Sequence, residues 1–184
     1  MSVRITYFVH GTTTDNENHL ATGWAPGKLS ELGVKQSKEL WDLINHEKYS
    51  VVYCSDLKRA VDSANLTFKD KIPIIKDKRL RECDYGDLTQ KSSLVVKKDM
   101  LKRVKEPFPN GESYKQVEKR IKNFLKSVAE KHEGQHIAIV AHQAPQLALD
   151  VILKNKKWKQ AIKEDWRNKK AWQPGWEYEI SKQA

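Results

Sequence analysis

The chain has 184 residues, with 34 Lys and Arg against 24 Asp and Glu and a formal net charge of +10 at pH 7. A chain of this length favours one domain and buries roughly 70% of the surface that its unfolded form exposes, so its core needs no disulfide or structural metal. Its 39% of hydrophobic residues argue against a largely disordered protein. No apolar stretch approaches the ~20 residues of a membrane span, and the first apolar run is too short for a signal peptide.

These features predict a cytoplasmic protein with no membrane partner. Cys54 and Cys83 form neither a CxxC pair nor a zinc-binding spacing, which is typical of reduced thiols in a reducing compartment. We therefore expect no metal and no cofactor. The positive charge favours anionic partners, a class that includes phosphoesters, nucleic acid and acidic membrane surfaces, and charge alone does not choose among them.

Short apolar runs alternate with helical patterns along the chain. Runs at 5–9, 50–54 and 136–141 predict strands that are covered on both faces. Helical spacing of apolar residues follows each run, and Ser55 or Asp56 is expected to cap the helix after the second one. This alternation predicts a three-layer α/β/α fold with a mostly parallel central sheet.

The second half of the chain predicts a further helix, a basic insertion and a final strand. A capping-box pattern at Ser113 starts a helix that continues to about Lys131. Alternation over 176–180 predicts a C-terminal edge strand. We expect one domain over 1–184 with a lid or insertion at about 87–112, of which 91–105 is strongly basic.

Polar residues follow the predicted strands where ligands bind in such folds. The ends of parallel strands share one edge of the sheet, and helix N-termini converge there. His10 follows the first run, Arg59 lies shortly after the second, and His142 follows the third. Two imidazoles and a guanidinium are thereby directed at one crevice.

A series of short motifs occurs in one order around these residues. They are His10-Gly11 with Asn16, Thr22-Gly23-Trp24, Leu29-Ser30-Glu31-Leu32-Gly33, Ser55-Asp56-Leu57-Lys58-Arg59-Ala60, Leu80-Arg81-Glu82 with Gly86, Gly111-Glu112-Ser113, and His142. In this order they resemble the histidine phosphatase superfamily, also called phosphoglycerate-mutase-like, in its small single-domain branch. The resemblance covers about residues 5–142 and implies the phosphoglycerate-mutase-like form of the α/β fold.

The resemblance implies metal-independent hydrolysis of a small phosphomonoester. His10 would attack phosphorus and form a phosphohistidine, which water then hydrolyses. Arg59 and a protonated His142 would hold the phosphoryl oxygens, and Glu82 would protonate the leaving oxygen and activate water. The resemblance also implies that Gly11, Asn16, Thr22 and Gly23 contact the phosphate or the substrate. Gln143 departs from the glycine that many members have after this histidine, and we expect its side-chain amide to donate to a phosphate oxygen.

The chain departs from the family pattern directly before His10. The family has an arginine there, and this sequence has Val9. Loss of one comparable donor to a transition state costs on the order of 100- to 1000-fold in rate. Lys28, Arg81 or a residue of 91–105 would have to replace the missing arginine.

Three functions compete at this point. The first is a phosphomonoesterase acting on a small phosphorylated substrate. The second is a catalytically weak or inactive pseudophosphatase that binds a phosphorylated ligand, as Val9 would permit. Nucleic-acid binding through the basic segments 91–105 and 154–170 ranks last, because lysine-rich helical faces are usually solvated and no recognised motif is present. The sequence carries no signal for the substrate's identity or for an oligomeric state.

Overall fold

The computed structural model describes residues 2–169 and 175–181, and within them five strands form one sheet. The strands are β1 (Val3–Val9), β2 (Val52–Cys54), β3 (Ile74–Lys76), β4 (His136–Ala141) and β5 (Trp176–Ile180). Their order is β3-β2-β4-β1-β5. Only β5 runs antiparallel to its neighbour, so the predicted mostly parallel sheet and its C-terminal edge strand are both found.

Helices cover both faces of this sheet. The α-helices are α1 (Thr14–Glu17), α2 (Glu31–Ile44), α3 (Lys58–Phe68), α4 (Ser93–Asp99), α5 (Tyr114–Lys131), α6 (Gln143–Leu153) and α7 (Trp158–Lys163). Short 3-10 turns span Lys78–Leu80, Gly86–Leu88, Lys102–Val104 and Trp166–Lys169.

The sheet separates two hydrophobic clusters, which explains the unbroken apolar runs. Tyr7 of β1 packs in the cluster that contains apolar residues of α5 and α6, whereas Phe8 packs with Phe68 of α3 on the opposite face. Successive side chains of a strand point to opposite faces, so a strand covered on both sides is apolar at every position.

Two local predictions have different outcomes. The expected capping box is confirmed, since Ser113 Oγ accepts from the backbone N–H of Gln116, and Gln116 Oε1 accepts from that of Ser113. The expected cap of α3 by Ser55 or Asp56 is wrong. The N-cap residue is Leu57, whose apolar side chain makes no cap hydrogen bond. The carboxylate of Asp56 instead binds Arg81 through two hydrogen bonds of 2.7 Å, and Ser55 Oγ accepts from the N–H of Leu57 at 3.2 Å.

The segment expected as a lid or insertion, 87–112, carries α4 and the Lys102–Val104 turn. It is anchored by Val96, Met100 and Phe108, which are buried in the hydrophobic cluster on the α5 side of the sheet. None of the described helices is both long enough and apolar enough to span a bilayer.

Candidate active site

A cavity of about 370 Å³ lies at the carboxyl end of the central strands. The parallel register of β1 and β4 pairs Val9 with Ala141, so the residues that follow, His10 and His142, are neighbours at this end of the sheet. His10 lines the cavity, whereas His142 lies behind the lining residues. The backbone N–H of His10 donates to the carbonyl of Ala141 at 3.0 Å. The cavity walls include Val9, His10, Arg59, Glu82, Gln143 and Arg167.

The two imidazoles are in contact at an interplanar angle of 61°, with an edge of one ring directed at the other. Their ring centroids are 5.1 Å apart, and His142 is fully buried. The backbone of His142 is fixed by Tyr7, whose hydroxyl donates to its carbonyl at 2.7 Å and accepts from its N–H at 3.0 Å. Both ring nitrogens of His142 lack a hydrogen-bond partner among the described residues. Buried polar atoms of this kind are the groups that a ligand satisfies.

The protonation of the His10 ring follows from its neighbours. Its Nδ1 lies 2.7 Å from the carbonyl oxygen of Gly11, and a carbonyl only accepts, so Nδ1 carries the proton. Nε2 then holds the lone pair, and Arg59 Nε donates to it at 3.3 Å. The N–H of Gly11 donates to Ser63 Oγ, so this amide has a partner other than the phosphate that the resemblance implied. A Cβ at Gly11 would lie 2.4 Å from the carbonyl oxygen of Gly33, which requires glycine there.

The surroundings keep both histidines neutral at pH 7. Desolvation and then the charge of Arg59 lower the pKa of His10 to about 3. The same two causes lower the pKa of His142 well below its usual value. The resemblance implies a protonated His142 at the phosphoryl group, whereas burial and the charge of Arg59 favour the neutral ring in the absence of an anion.

The depressed pKa of His10 predicts a pH-dependent stability. Between about pH 6.5 and 3 the unfolded chain binds a proton at His10 that the folded protein does not. The free energy of unfolding therefore falls as the pH falls through this window. A His10→Asn variant should show a smaller fall in urea denaturation between pH 7 and 4. Parallel curves for the two proteins would contradict the depressed pKa.

Arg59 carries a positive charge and also fixes the loop that contains Gly23 and Ala25. It is 2% exposed, and its Nη1 and Nη2 donate to the carbonyls of Ala25 and Gly23 at 2.9 and 2.8 Å. Gly23 has a φ of +51°, a left-handed conformation that favours glycine. Three of the five guanidinium N–H groups are thus engaged with protein, and Arg59 reaches a ligand with those that remain.

Glu82 connects this loop to α6. Its Oε1 accepts from the N–H groups of Cys83 and Ala144, both at 2.9 Å, and its Oε2 accepts from that of Gln143 at 3.2 Å. Its carbonyl accepts from Trp24 Nε1 at 2.7 Å. The carboxylate is therefore held beside the first turn of α6, next to His142.

The remaining predicted contacts lie at the cavity with different partners. Asn16 and Thr22 both line it, and Asn16 Oδ1 accepts from the N–H of Thr13. Gln143 also lines it, but its side-chain amide donates to the buried Asp165. The amide expected to bind a phosphate oxygen thus holds a carboxylate.

Among the described residues, no group of three or more His, Cys, Asp and Glu side chains is arranged to hold a metal ion.

Residues 7–176 match the model of the histidine phosphatase superfamily, branch 1. The chain belongs to this superfamily. It is 27% identical over 154 residues to adenosylcobalamin/alpha-ribazole phosphatase of Escherichia coli, covering 77% of this chain and 74% of the relative. It is 33% identical over 130 residues to phosphoserine phosphatase 1 of Hydrogenobacter thermophilus, covering 66% of this chain and 62% of the relative.

Solved structures of similar proteins agree with the fold. Bacillus stearothermophilus YhfR superposes with a TM-score of 0.79 at 24% identity, over 86% of this chain and 83% of that one. The alpha-ribazole phosphatase of Shigella flexneri superposes with a TM-score of 0.76 at 26% identity, over the same shares of the two chains. The predicted family and α/β fold are confirmed, and the enzyme class is that of phosphoric monoester hydrolases.

Val9 stands where the resemblance implied an arginine, and its side chain packs against the hydrophobic cluster on the α5 side. Of the expected replacements, Lys28 is exposed and Arg81 is paired with Asp56, and neither is among the described residues that line the cavity. From the basic segment 91–105, Lys97 lines it. Arg167 also lines it, and sequence reasoning missed this residue, since the basic tail carries no motif that singles it out.

Proposed function

We propose that this histidine phosphatase hydrolyses a small anionic phosphomonoester through a phosphohistidine at His10. The observation that carries the proposal is the fixed, neutral ring of His10. Its Nδ1–H is held by the Gly11 carbonyl, so the lone pair is on Nε2, which lies beside Arg59 and His142. This lone pair accepts from Arg59 Nε at 3.3 Å, and the hydrogen bond of the Arg59 N–H transfers to a phosphoryl oxygen when Nε2 attacks. A neutral imidazole with an oriented lone pair is a competent nucleophile.

The reaction proceeds in two displacements. In the first, Nε2 of His10 forms a bond to phosphorus while the bond to the leaving oxygen breaks, and a protonated Glu82 gives its proton to that oxygen. In the second, water attacks phosphorus, the N–P bond breaks, and the Glu82 carboxylate takes the proton from water. Three backbone N–H groups hold the carboxylate of Glu82 beside the first turn of α6, which supports its role as the base in the second displacement. The role as the acid rests on the resemblance to the family.

The phosphoryl charge is met by the buried groups around His10. Arg59 supplies a permanent positive charge in a desolvated place, where electrostatic stabilisation is strong. A bound phosphate dianion next to His142 favours its protonated form, because an opposite charge within about 4–6 Å favours the ionised state. The unpartnered ring nitrogens of His142 then donate to phosphate oxygens. We assign Asn16, Thr22 and Gly23 to the remaining phosphate contacts.

The volume of the cavity and the segment that borders it support the proposal of a small substrate. Segment 87–112 contributes Ser93, Val96, Lys97 and Met100 to the cavity, and we propose that it acts as the lid of the site. Lys97 adds a positive charge that suits an anionic substrate. Cys54 and Cys83 are buried free thiols, which supports a reducing, cytoplasmic location.

Trapping the covalent intermediate tests the proposal. Rapid quenching during hydrolysis of p-nitrophenyl phosphate is expected to yield an acid-labile, alkali-stable phosphate on His10 by mass spectrometry. His10→Ala should give no label. His19→Ala is the control and should label like wild type, since His19 is not among the cavity-lining residues. Hydrolysis with inversion at phosphorus would contradict the proposal, because two displacements give retention.

Val9 favours one second candidate, the pseudophosphatase that binds a phosphorylated ligand without turnover. The test is the Val9→Arg variant beside wild type. A wild-type protein that binds orthovanadate, hydrolyses no phosphoester and gains strong activity on this substitution would establish the pseudophosphatase. Labelling of His10 in wild type would exclude it.

A further inference from the structure

A guanidinium from the C-terminal part of the chain reaches the cavity that holds His10. Arg167 lies in the 3-10 turn Trp166–Lys169, and both Trp166 and Arg167 line the cavity. The side chain of Arg167 is 20% exposed, so it is largely enclosed. The turn therefore closes one side of the cavity with an aromatic ring and a positive charge.

Buried polar groups fix the position of Arg167. Its Nη1 donates to Asp165 Oδ1 at 2.8 Å, and its backbone N–H donates to the same oxygen at 3.1 Å. The other carboxylate oxygen of Asp165, a residue only 4% exposed, accepts from the side-chain amide of Gln143. The guanidinium carbon lies 4.9 Å from the centroid of the Trp166 ring. Arg167 is thus tied to the first residue of α6, directly after His142.

Arg167 retains donors for a ligand. A guanidinium has five N–H groups, and in the described part of the chain Nε and Nη2 of Arg167 have no hydrogen-bond acceptor. After desolvation and Arg59, its charge is among the causes that lower the pKa of His10, and it also acts on His142. Arg167 and His10 line the same cavity, so this positive charge belongs to the electrostatic surroundings of the site.

We propose that Arg167 is a catalytic residue that binds the phosphoryl group of the substrate. It takes the place of the arginine that the family pattern has where this chain has Val9. The inference rests on the proposed function. Nη1 stays on Asp165, which orients the side chain, while Nε and Nη2 form the planar pair that suits two oxygens of a phosphate. The ion pair with Arg167 compensates the negative charge of Asp165, so this carboxylate does not repel the negatively charged phosphoryl group.

The test compares Arg167→Gln with Lys159→Gln. Lys159 is exposed on α7, so its substitution removes the same charge from the same part of the chain. Arg167→Gln is expected to lower kcat/KM by about 100- to 1000-fold. It should weaken binding of inorganic phosphate, measured by calorimetry, by about 10- to 100-fold, the value of a charge-assisted hydrogen bond. Lys159→Gln should change either quantity less than about threefold.

Two further variants separate catalysis from folding. Arg167→Gln leaves the Asp165 charge buried without its partner, so the double variant Asp165→Asn/Arg167→Gln removes both charges and should show the same loss of phosphate binding. Adding Val9→Arg to Arg167→Gln should restore at least one tenth of the wild-type kcat/KM, since the new guanidinium enters the same cavity.

The possible failures are distinguishable. If Arg167→Gln retains kcat/KM and phosphate affinity within about twofold of Lys159→Gln, the role of Arg167 is overturned while wild-type turnover keeps the proposed function. If wild type neither hydrolyses phosphoesters nor labels His10, the proposed function fails. Phosphate binding to wild type and Arg167→Gln then still decides whether Arg167 holds the anion.

Discussion

Replacing His10 with alanine is expected to lower kcat by about 10⁴- to 10⁶-fold, the range observed when a covalent nucleophile is removed. Among the described residues, the other imidazole at the site is that of His142, whose ring centroid is 5.1 Å from that of His10. We have proposed that His142 contacts the phosphoryl oxygens rather than attacking phosphorus. The measurement is steady-state hydrolysis of p-nitrophenyl phosphate by each purified protein.

Binding of inorganic phosphate separates loss of chemistry from loss of the site. His10→Ala should still bind phosphate, because Arg59 remains held by the carbonyls of Gly23 and Ala25. His19→Ala should keep wild-type turnover. A His10→Ala protein with kcat within about 100-fold of wild type would show that another group carries the reaction.

Replacing Glu82 with glutamine is expected to lower kcat/KM in a way that depends on the leaving group. The second displacement, in which Glu82 acts as the base, is the same for every substrate and contributes to kcat, so kcat/KM is the quantity that reports proton donation to the leaving oxygen. A positioned general acid contributes about 10²- to 10⁴-fold, and this contribution is needed most when the leaving oxygen is basic. The loss should reach that range with an alkyl phosphate. With p-nitrophenyl phosphate the loss should be much smaller, because p-nitrophenolate leaves without a proton. Measuring kcat/KM of wild type and Glu82→Gln with both substrates gives the ratio of the two losses.

The ratio of the two losses also distinguishes a missing proton donor from a general structural defect of the site. Glu82 accepts three backbone N–H groups, and glutamine satisfies fewer of them, so some stability is lost in the variant. Such a structural defect slows both substrates equally. An equal loss with both leaving groups would therefore contradict the role of Glu82 as the proton donor.

The core of the fold was accessible from the sequence because the central strands are buried on both faces. The apolar runs of β1 and β4 indicate the residue at which each strand ends. In a parallel pair of strands, the residues that follow the two ends are neighbours. The sequence therefore predicts that His10 and His142 are neighbours, as the register of β1 and β4 shows. Arg59 followed from the short distance between the end of β2 and the start of α3.

Other features depend on contacts between distant residues, which no local pattern encodes. β3 has three residues and forms no run long enough to detect. Asp56 was an attractive helix cap, but Arg81, 25 residues later, takes its carboxylate. Arg167 reaches the cavity only because Asp165 is held by Gln143 across 22 residues of chain. In the tail sequence it is one basic residue among many.

A crystal structure of the protein with orthovanadate tests the central claim most directly. Vanadate mimics the five-coordinate phosphorus of a displacement, so its position shows which atom attacks. We predict vanadium at bonding distance from His10 Nε2, with its oxygens in contact with His142, Arg59 and Arg167. Vanadate bound elsewhere, or a cavity without vanadate at saturating concentration, would contradict the account.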